Sequence, residues 1–530
     1  MSAGPGRFFF DNGPIHPCEG QPLRDGALGV QDGLISYVGP RQEADPALIE
    51  GAERIDLDGR ALFPGFCDSH VHFLLAAEML DYVDCRDVSD VRTIQDRVGE
   101  KCRKTGEGEW VLGRGWEKRL LFPDGHPSPE MLDEASREHP VLLMSKDAHS
   151  VWLNSRALRR ALSGGDLPAA CVVDERGGKR TGLILEEAEA VKNLLVPRPS
   201  DEKKIRLAEG MLKAFYSHGI TTVHNIEPPE GFSLWKRYAE EHPGVLRMVW
   251  NFVFPSPEAL REGRSLFQEG VPGRLATGGA KLFLDGSFGS LSAAVSEPYV
   301  GTSERGLLNF EREALMEWLR TLRELGLSGL FHAIGDRATD QILSCLTELD
   351  RPAGCRHRLE HVQLLSPDIL AKHDFRRLIF SVQPSHMWDD RGILERNMAE
   401  NFRERYAYVY RTISERGGTL LMGSDAPVED INPWKGIQAA VTRLGDAETP
   451  PWNPAEALTL EEAIACHTRH PSRAVHPGFS AGVLKPGMKA DLAVFNNDPY
   501  RVAADDPARL WKSLKTEMTF VDGRLVYSSG

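Results

Sequence analysis

The sequence predicts an α/β protein: a (β/α)8 TIM-type barrel, a small β-sandwich domain built from both termini, and an insertion after the first barrel strand. Three observations predict this fold. Apolar β-type runs alternate with helix-length amphipathic segments through the middle of the chain. Strand-rich segments lie at both ends, and a long stretch separates the first apolar run from the second.

The two ends of the chain carry hairpin signals. Asp32 and Gly33 separate two apolar runs, and Asp522 and Gly523 do the same near the C-terminus. Because strand-rich ends flank a long middle, we expect one composite β-domain made of residues 1–64 and 480–530.

The middle of the chain, residues 65–479, is predicted to form the barrel. Eight apolar runs are the candidate strands: 62–67, 220–226, 247–254, 279–284, 328–334, 357–365, 377–383 and 419–424. The segment at about 75–205 is too long for one strand-to-helix connection and is predicted to be an insertion. Its tryptophans and prolines favour a substrate-shaping lid, with a packed subdomain as the alternative.

Composition excludes several classes of function. The 530 residues are 41% hydrophobic and 26% charged, which is typical of a soluble globular enzyme. The net charge of −14 argues against a nucleic-acid partner, and the lack of a long apolar run argues against a membrane partner. Eight cysteines without a CxxC pair favour the reducing cytoplasm. We therefore expect a small-molecule substrate; for oligomeric state, a homodimer is only the general default.

Metal-ligand residues recur at the ends of the predicted strands. His70 and His72 are two residues apart on an extended segment, so both imidazoles can meet one cation. His332, His361 and Asp425 each close a further apolar run, where a barrel strand delivers a side chain to the C-terminal mouth. Such a nitrogen and oxygen set suits zinc, with manganese, iron and nickel left open. Each residue has a structural alternative, such as a core histidine or a helix N-cap, but together they indicate a metal site.

Lys281 lies inside an apolar run, where burial of an ammonium group is costly. Its side chain could extend to the barrel rim. Alternatively, the amine could react with carbon dioxide to give a carbamate, a carboxylate able to bridge two metals. The sequence leaves both readings open.

Several of these motifs resemble a known family. The segment 64–72 resembles the first-strand signature of the amidohydrolase superfamily. Further segments resemble the branch that contains N-substituted formamide deformylase, the YtcJ-like amidohydrolases: 113–116, 149–155, 281–287, 332–338, 358–363 and 423–428. This resemblance implies two Zn²⁺ ions, bridged by carboxylated Lys281, on His70, His72, Lys281, His332, His361 and Asp425.

The resemblance also implies an activity. It predicts a hydrolase of carbon–nitrogen bonds other than peptide bonds, which cleaves an amide or formamide-like bond by metal-activated hydroxide. Asp425 would be the catalytic proton shuttle. The alternatives are a deaminase or other cyclic-amide hydrolase of the same superfamily, and a non-catalytic binding scaffold. Lys281 disfavours the deaminase, and the full set of ligand positions disfavours the scaffold.

Four residues are candidates for substrate binding: Trp116, His149, Asp285 and Gln383. Each has a packing or turn role as its alternative. His224 and His386 are ambiguous in the same way. Glu360, next to His361, is expected to point to the opposite face of its strand and to be structural.

Overall fold

The computed structural model describes residues 6–123, 125–146, 149–163, 167–349, 355–445, 449–475 and 477–530. The chain divides into two compact units, Met1–Ala76 with Met211–Gly530, and Ala77–Gly210. Among the described helices, none combines the length and the apolar composition needed to cross a bilayer.

The N-terminal segment forms the first five strands. They are β1 (Phe8–Asp11), β2 (Gly26–Gln31), β3 (Leu34–Pro40), β4 (Glu53–Asp56) and β5 (Ala61–Pro64). Strands β1 to β4 form one sheet in the order β3-β2-β1-β4. The predicted hairpin between β2 and β3 is confirmed, with Asp32 and Gly33 at φ of 54° and 77°. Both residues adopt the left-handed conformation that a tight hairpin turn requires.

The first barrel strand is β6 (Phe66–Val71), so the boundary expected from the apolar run 62–67 is wrong. That run divides between two sheets, because β5 pairs with the terminal sandwich and β6 with the barrel. The chain changes sheets at Gly65, whose N–H donates to the Asp491 carbonyl. A Cβ atom at Gly65 would lie 2.2 Å from the Thr221 hydroxyl oxygen, so only glycine fits this crossing.

The segment between β6 and the next barrel strand contains the second unit. Its strands are β7 (Val83–Asp84), β8 (Val111–Trp116), β9 (Val141–Ser145), β10 (Ser150–Leu153), β11 (Val172–Arg176) and β12 (Lys179–Leu185). They form one sheet in the order β11-β12-β10-β9-β8-β7. The helices of the whole segment are α1 (Phe73–Met79), α2 (Val91–Cys102), α3 (Lys118–Leu121), α4 (Pro129–Asp133), α5 (Ser155–Ser163), α6 (Ala188–Leu195) and α7 (Asp201–Tyr216). Buried apolar side chains pack on this sheet, so the insertion has a core of its own.

Seven further parallel strands complete the barrel. They are β13 (Ile220–Glu227), β14 (Arg247–Val253), β15 (Leu275–Phe283), β16 (Gly329–Ala333), β17 (Arg358–His361), β18 (Ile379–Val382) and β19 (Thr419–Met422). Their order is β19-β18-β17-β16-β15-β14-β13-β6. The residues after β19 close the circle, since the Asp425 N–H donates to the His70 carbonyl at 2.7 Å. The predicted (β/α)8 barrel is confirmed.

Helices follow the barrel strands. They are α8 (Phe232–Glu241), α9 (Pro257–Glu262), α10 (Arg312–Leu325), α11 (Asp336–Glu348), α12 (Pro367–Lys372), α13 (His386–Asn397), α14 (Glu400–Tyr406), α15 (Tyr410–Glu415), α16 (Pro433–Thr442), α17 (Leu460–His467) and α18 (Arg469–Ala474). Helix α10 shows why these segments are helical: its buried residues recur at helical spacing, and Gly326 ends it at φ of 67°.

The C-terminal segment completes the sandwich. It contains β20 (Leu492–Phe495), α19 (Pro499–Asp505), α20 (Leu510–Ser513), β21 (Thr516–Val521) and β22 (Arg524–Ser528). The second sheet has the order β22-β21-β20-β5, so it joins both ends of the chain. Apolar side chains from both sheets, among them Phe10 and Phe520, share one buried cluster. The β-sandwich built from both termini is therefore confirmed.

Candidate metal centre

The predicted ligands converge where the barrel strands end. The Nε2 atoms of His70 and His72 each lie 3.3 Å from Asp425 Oδ1. Ligand atoms of His70, His361 and Asp425 lie within 4.8 Å of one another, and all three residues are buried. The His332 ring lies 4.5 Å from the His361 ring, centroid to centroid. Residues from four separate strand ends thus form one cluster.

Hydrogen bonds on the far side of the two first-strand histidines set their tautomers. His70 Nδ1 lies 2.6 Å from Glu360 Oε2, and His72 Nδ1 lies 2.7 Å from the Ile226 carbonyl oxygen. A carbonyl oxygen and an ionised carboxylate only accept, so each Nδ1 carries the proton and donates it. Each Nε2 lone pair is then directed at Asp425, in the arrangement that metal-binding histidines need.

The charges in the cluster fit a cation. Burial lowers the pKa of His70 to about 4, so this imidazole is neutral near pH 7. Burial alone would raise the pKa of Asp425, but His70 and His72 outweigh it and hold the pKa well below its usual range. The Nε2 atoms of His70 and His72 both lie 3.3 Å from Asp425 Oδ1, so the three side chains present two nitrogens and a carboxylate to one small volume. This nitrogen and oxygen donor set suits a divalent transition metal.

The backbone around Asp425 is tightly constrained. Asp425 and His361 have φ of 59° and 71°, in the left-handed region that L-residues rarely adopt. A Cβ atom at Gly423 would lie 2.5 Å from the His70 backbone nitrogen. The Ser424 N–H donates to Asp68 Oδ1 at 2.9 Å. These contacts fix the segment after β19 against β6, and so place Asp425 beside His70.

Lys281 is part of the same buried environment. Its side chain is 1% exposed, and its Nζ has no hydrogen-bond partner among the described residues. The Nζ lies 5.0 Å from the centre of the Phe283 ring. Burial lowers the pKa of this amine to about 8, and the charges that act on it include Glu360 and Asp425. The expectation that this side chain reaches the solvent at the rim does not agree with its burial.

Glu360 does not point away from the site, contrary to the expectation from strand alternation. Its carboxylate accepts from His70 Nδ1 and is paired with Arg358, whose Nε lies 2.5 Å from Glu360 Oε1. Simple alternation fails because His361 has a left-handed backbone, so consecutive residues both serve the cluster. Charged residues inside an apolar strand were the signal that could have identified this pair.

Asp285 and Gln383 are buried beside the strand ends. The Asp285 carboxylate accepts backbone N–H groups of Ile334, Gly335 and Ala294 at 2.8–3.0 Å. It also lies 3.6 Å from His332 Nε2. The Gln383 amide donates to the Ser381 carbonyl at 3.4 Å. Both side chains therefore make contacts within the protein, and their part in substrate binding stays a prediction.

Trp116 and His149 lie in the unit Ala77–Gly210. Trp116 is buried in the core of that unit, and its Nε1–H donates to the Leu143 carbonyl at 2.9 Å. The His149 side chain is 63% exposed and pairs with Glu186 at 3.1 Å. Their part in substrate binding also stays a prediction.

His386 borders the cluster. Its Nε2 lies 3.8 Å from Asp425 Oδ2, and its ring stacks on His361 with centroids 6.1 Å apart. Its Nδ1 lies 3.3 Å from Gln363 Nε2, which also contacts Asp390 and Tyr408. His224 lies elsewhere in the barrel, where its Nδ1 accepts from Arg358 at 3.0 Å.

Comparison with known proteins agrees with this geometry. A family model described as "Amidohydrolase family" matches residues 53–527. The chain belongs to the amidohydrolase family. Within this family it is 27% identical, over 95% of its length and 96% of the relative's, to a putative amidohydrolase YtcJ of Bacillus subtilis. It is also 25% identical to an N-substituted formamide deformylase of Arthrobacter pascens, over 94% of each chain.

The amidohydrolase fold is shared with a solved structure. An uncharacterized metal-dependent hydrolase from Pyrococcus furiosus is 26% identical and superposes with a TM-score of 0.75. The match covers 93% of this chain and 99% of the Pyrococcus chain. The present chain is thus a metal-dependent hydrolase of the amidohydrolase superfamily, and the residues gathered at its barrel mouth fit a divalent metal.

Proposed function

We propose that this chain hydrolyses an amide or formamide-like C–N bond, other than a peptide bond, at a centre of two divalent metal ions. One observation carries the proposal: four histidines, Asp425 and a buried amine that has no hydrogen-bond partner among the described residues gather at one barrel mouth. The residues that would hold the two ions, for which zinc is our first choice, are His70, His72, Lys281, His332, His361 and Asp425.

When bound, the metal supplies a lowered pKa for a coordinated water and polarises the substrate carbonyl. The protein supplies a base with a fixed position. Asp425 is ionised because His70 and His72 outweigh the effect of its burial on its pKa. Its carboxylate takes the proton of the attacking water and delivers it to the leaving nitrogen, which departs as an amine. The backbone contacts of Ser424 and Asp425 with β6 hold the carboxylate in place during both transfers.

Modification of Lys281 would complete the ligand set. The Lys281 nitrogen would form a bond to the carbon of carbon dioxide, release one proton and leave a carbamate anion. Counting the proton that the ammonium form must lose first, two protons leave in all, and the modification would replace a buried cation with an anion whose oxygens could serve as metal ligands. Lys281 is 1% exposed and its amine has no hydrogen-bond partner in the described part of the chain, which supports the modification because an unmodified ammonium group there is costly.

An apolar substituent on the substrate is the second part of the proposal. Phe283 ends β15 with 39% of its surface exposed, and its ring lies 5.6 Å from the His332 ring. A phenyl face beside a metal-binding histidine can pack on the apolar part of a small molecule. The relative from Arthrobacter pascens, named for N-substituted formamides, is similar over 94% of the chain and supports this substrate class.

Metal removal tests the proposal. We expect the purified protein to carry one to two equivalents of a divalent transition metal, and chelation to abolish hydrolysis of a formamide until zinc is restored. The measurement is metal content by mass spectrometry alongside assays on N-substituted formamides, N-acyl amines, dipeptides and cyclic amides. Undiminished turnover by metal-free protein would contradict the metal centre. Activity confined to cyclic amides or to deamination would favour the alternative reactions.

Phe283→Ala tests the substrate class. We expect kcat/KM for an N-benzyl formamide to fall about tenfold, because about 50 Å² of lost apolar contact corresponds to about 1.3 kcal/mol. For N-methyl formamide the ratio should change little. Leu525→Ala is the control, since it removes an apolar side chain, 50% exposed, from β22 in the sandwich. Equal losses for both substrates, or altered metal content, would refute a role in substituent binding.

A further inference from the structure

A buried charge pair lies directly against the metal ligand His70. Glu360 is 0% exposed and Arg358 3% exposed, with Arg358 Nε 2.5 Å from Glu360 Oε1. The other carboxylate oxygen accepts the Nδ1 proton of His70 at 2.6 Å. The guanidinium of Arg358 and the N–H of His70 thus both contact this buried carboxylate and compensate its negative charge.

Arg358 is held from several sides of the barrel. One terminal nitrogen, Nη2, donates to the Ser69 carbonyl on β6 and to Ser381 Oγ on β18, the latter at 3.0 Å. The other, Nη1, donates to His224 Nδ1 on β13 at 3.0 Å. The guanidinium therefore joins three other strands to its own strand β17. A guanidinium held in this way restricts the position of the Glu360 carboxylate that it binds.

The support of His70 differs from that of His72 and His361. His72 donates its Nδ1 proton to a neutral backbone carbonyl, and His361 Nδ1 has no hydrogen-bond partner among the described residues. A carboxylate acceptor makes an imidazole a stronger metal ligand than a neutral acceptor does, and it also fixes the ring. The Glu360 carboxylate therefore strengthens metal binding by His70, on the side of the cluster where His70 and His72 face Asp425.

We propose that Glu360, held in place by Arg358, is a positioning residue that keeps the proton of His70 on Nδ1 and directs Nε2 at the metal. Its loss weakens the metal position that His70, His72 and Asp425 share. The proposal rests on the proposed function only in taking His70 as a metal ligand, and its test needs no substrate.

The test is the zinc affinity of Glu360→Gln, measured by competition with a chromophoric chelator. We expect one equivalent to bind about 10–100-fold more weakly than in the parent protein. The absorption spectrum of the Co²⁺-loaded variant should also change, since it reports the ligand field of the metal. A purely structural role for the pair would lower the thermal midpoint and leave both metal readouts unchanged.

The protein offers a matched control in Arg247 and Asp491. This pair is also fully buried, with Nε 2.5 Å from Oδ2 and Nη2 2.8 Å from Oδ1. Among the described residues, the two side chains hydrogen-bond to Gly273, to Asp522 and to each other, and not to a metal-ligand histidine. Asp491→Asn should therefore lower the thermal midpoint while zinc affinity stays at the parent value.

Weak zinc binding by Glu360→Gln could come from the lost carboxylate or from the unpaired charge of Arg358. A double variant, Arg358→Met with Glu360→Gln, separates these two causes because it removes the unpaired charge as well. For the same reason it is the variant to use if the single change prevents folding. We expect zinc binding as weak as in the single variant. Parent-like affinity in either variant would overturn the proposal. If the parent protein bound no metal, both this proposal and the proposed function would fail. If zinc affinity fell in Asp491→Asn but not in Glu360→Gln, only the proposal for Glu360 would be overturned.

Discussion

Asp425→Asn is expected to lower kcat by about 10²–10⁴-fold, the usual contribution of a positioned acid–base group. The amide keeps the size of the side chain and much of its hydrogen bonding, but it cannot accept a proton from the attacking water. The carboxylate is ionised because His70 and His72 hold its pKa well below the usual range. An amide has no such ionised form. The loss should appear in kcat more than in KM, since the proton moves only during the reaction.

Metal content must be measured on the same Asp425→Asn sample, because a lost metal contact would deepen the fall in kcat. Asp336→Asn is the matched control: this buried carboxylate accepts the backbone N–H of Ser296 at 2.8 Å and also its hydroxyl. It should keep near-parent kcat. If Asp425→Asn retained near-normal kcat with full metal content, Asp425 would be a structural residue. His386 or Asp285 would then be the next candidates to carry the proton.

The fold could be predicted where local chemistry and global packing agree. The hairpins at Asp32–Gly33 and Asp522–Gly523 need left-handed residues, and both turns adopt them. The long helix α7 (Asp201–Tyr216) has acidic residues in its first turn and Lys213 in its last, the charge distribution that favours a helix. The sequence pattern predicts one strand over 62–67 because apolar residues continue across Gly65, whereas the structure has two strands there and the chain leaves the sandwich for the barrel between them. Which sheet a strand joins depends on partners distant in sequence, and local patterning does not contain that information.

The candidate site could also be predicted only where the local sequence pattern is sufficient. His70, His332 and His361 each lie at the end of a barrel strand, and parallel strands bring such ends together. Glu360 was assigned to the wrong face because alternation assumes extended backbone, whereas His361 has φ of 71°. The contact between Glu360 and His70 joins residues 290 positions apart, so it required the three-dimensional structure.

Lys281→Ala is expected to remove one of the two metal equivalents and to lower kcat by about 10²-fold or more. The reason is that a two-metal clamp contributes several kcal/mol of transition-state stabilisation, and each 1.36 kcal/mol is tenfold in rate. Added short carboxylates should partly restore both metal content and rate, because they supply the oxygens that the proposed carbamate would provide. Lys281→Arg should not be rescued, since it places a permanent cation beside the metals.

The control for the lysine variants is Lys192→Met, which removes another largely buried amine, one paired with Glu189 on helix α6. It should keep both metal equivalents, so loss of metal from Lys281→Ala would reflect the site and not the burial of an amine in general. Protein prepared with ¹³C-labelled bicarbonate provides the direct measurement, because a carbamate on Lys281 adds one labelled carbon. A fully metallated parent protein without that signal would contradict the bridge. A single metal, held by the histidines and Asp425, would then be the centre on which the reaction depends.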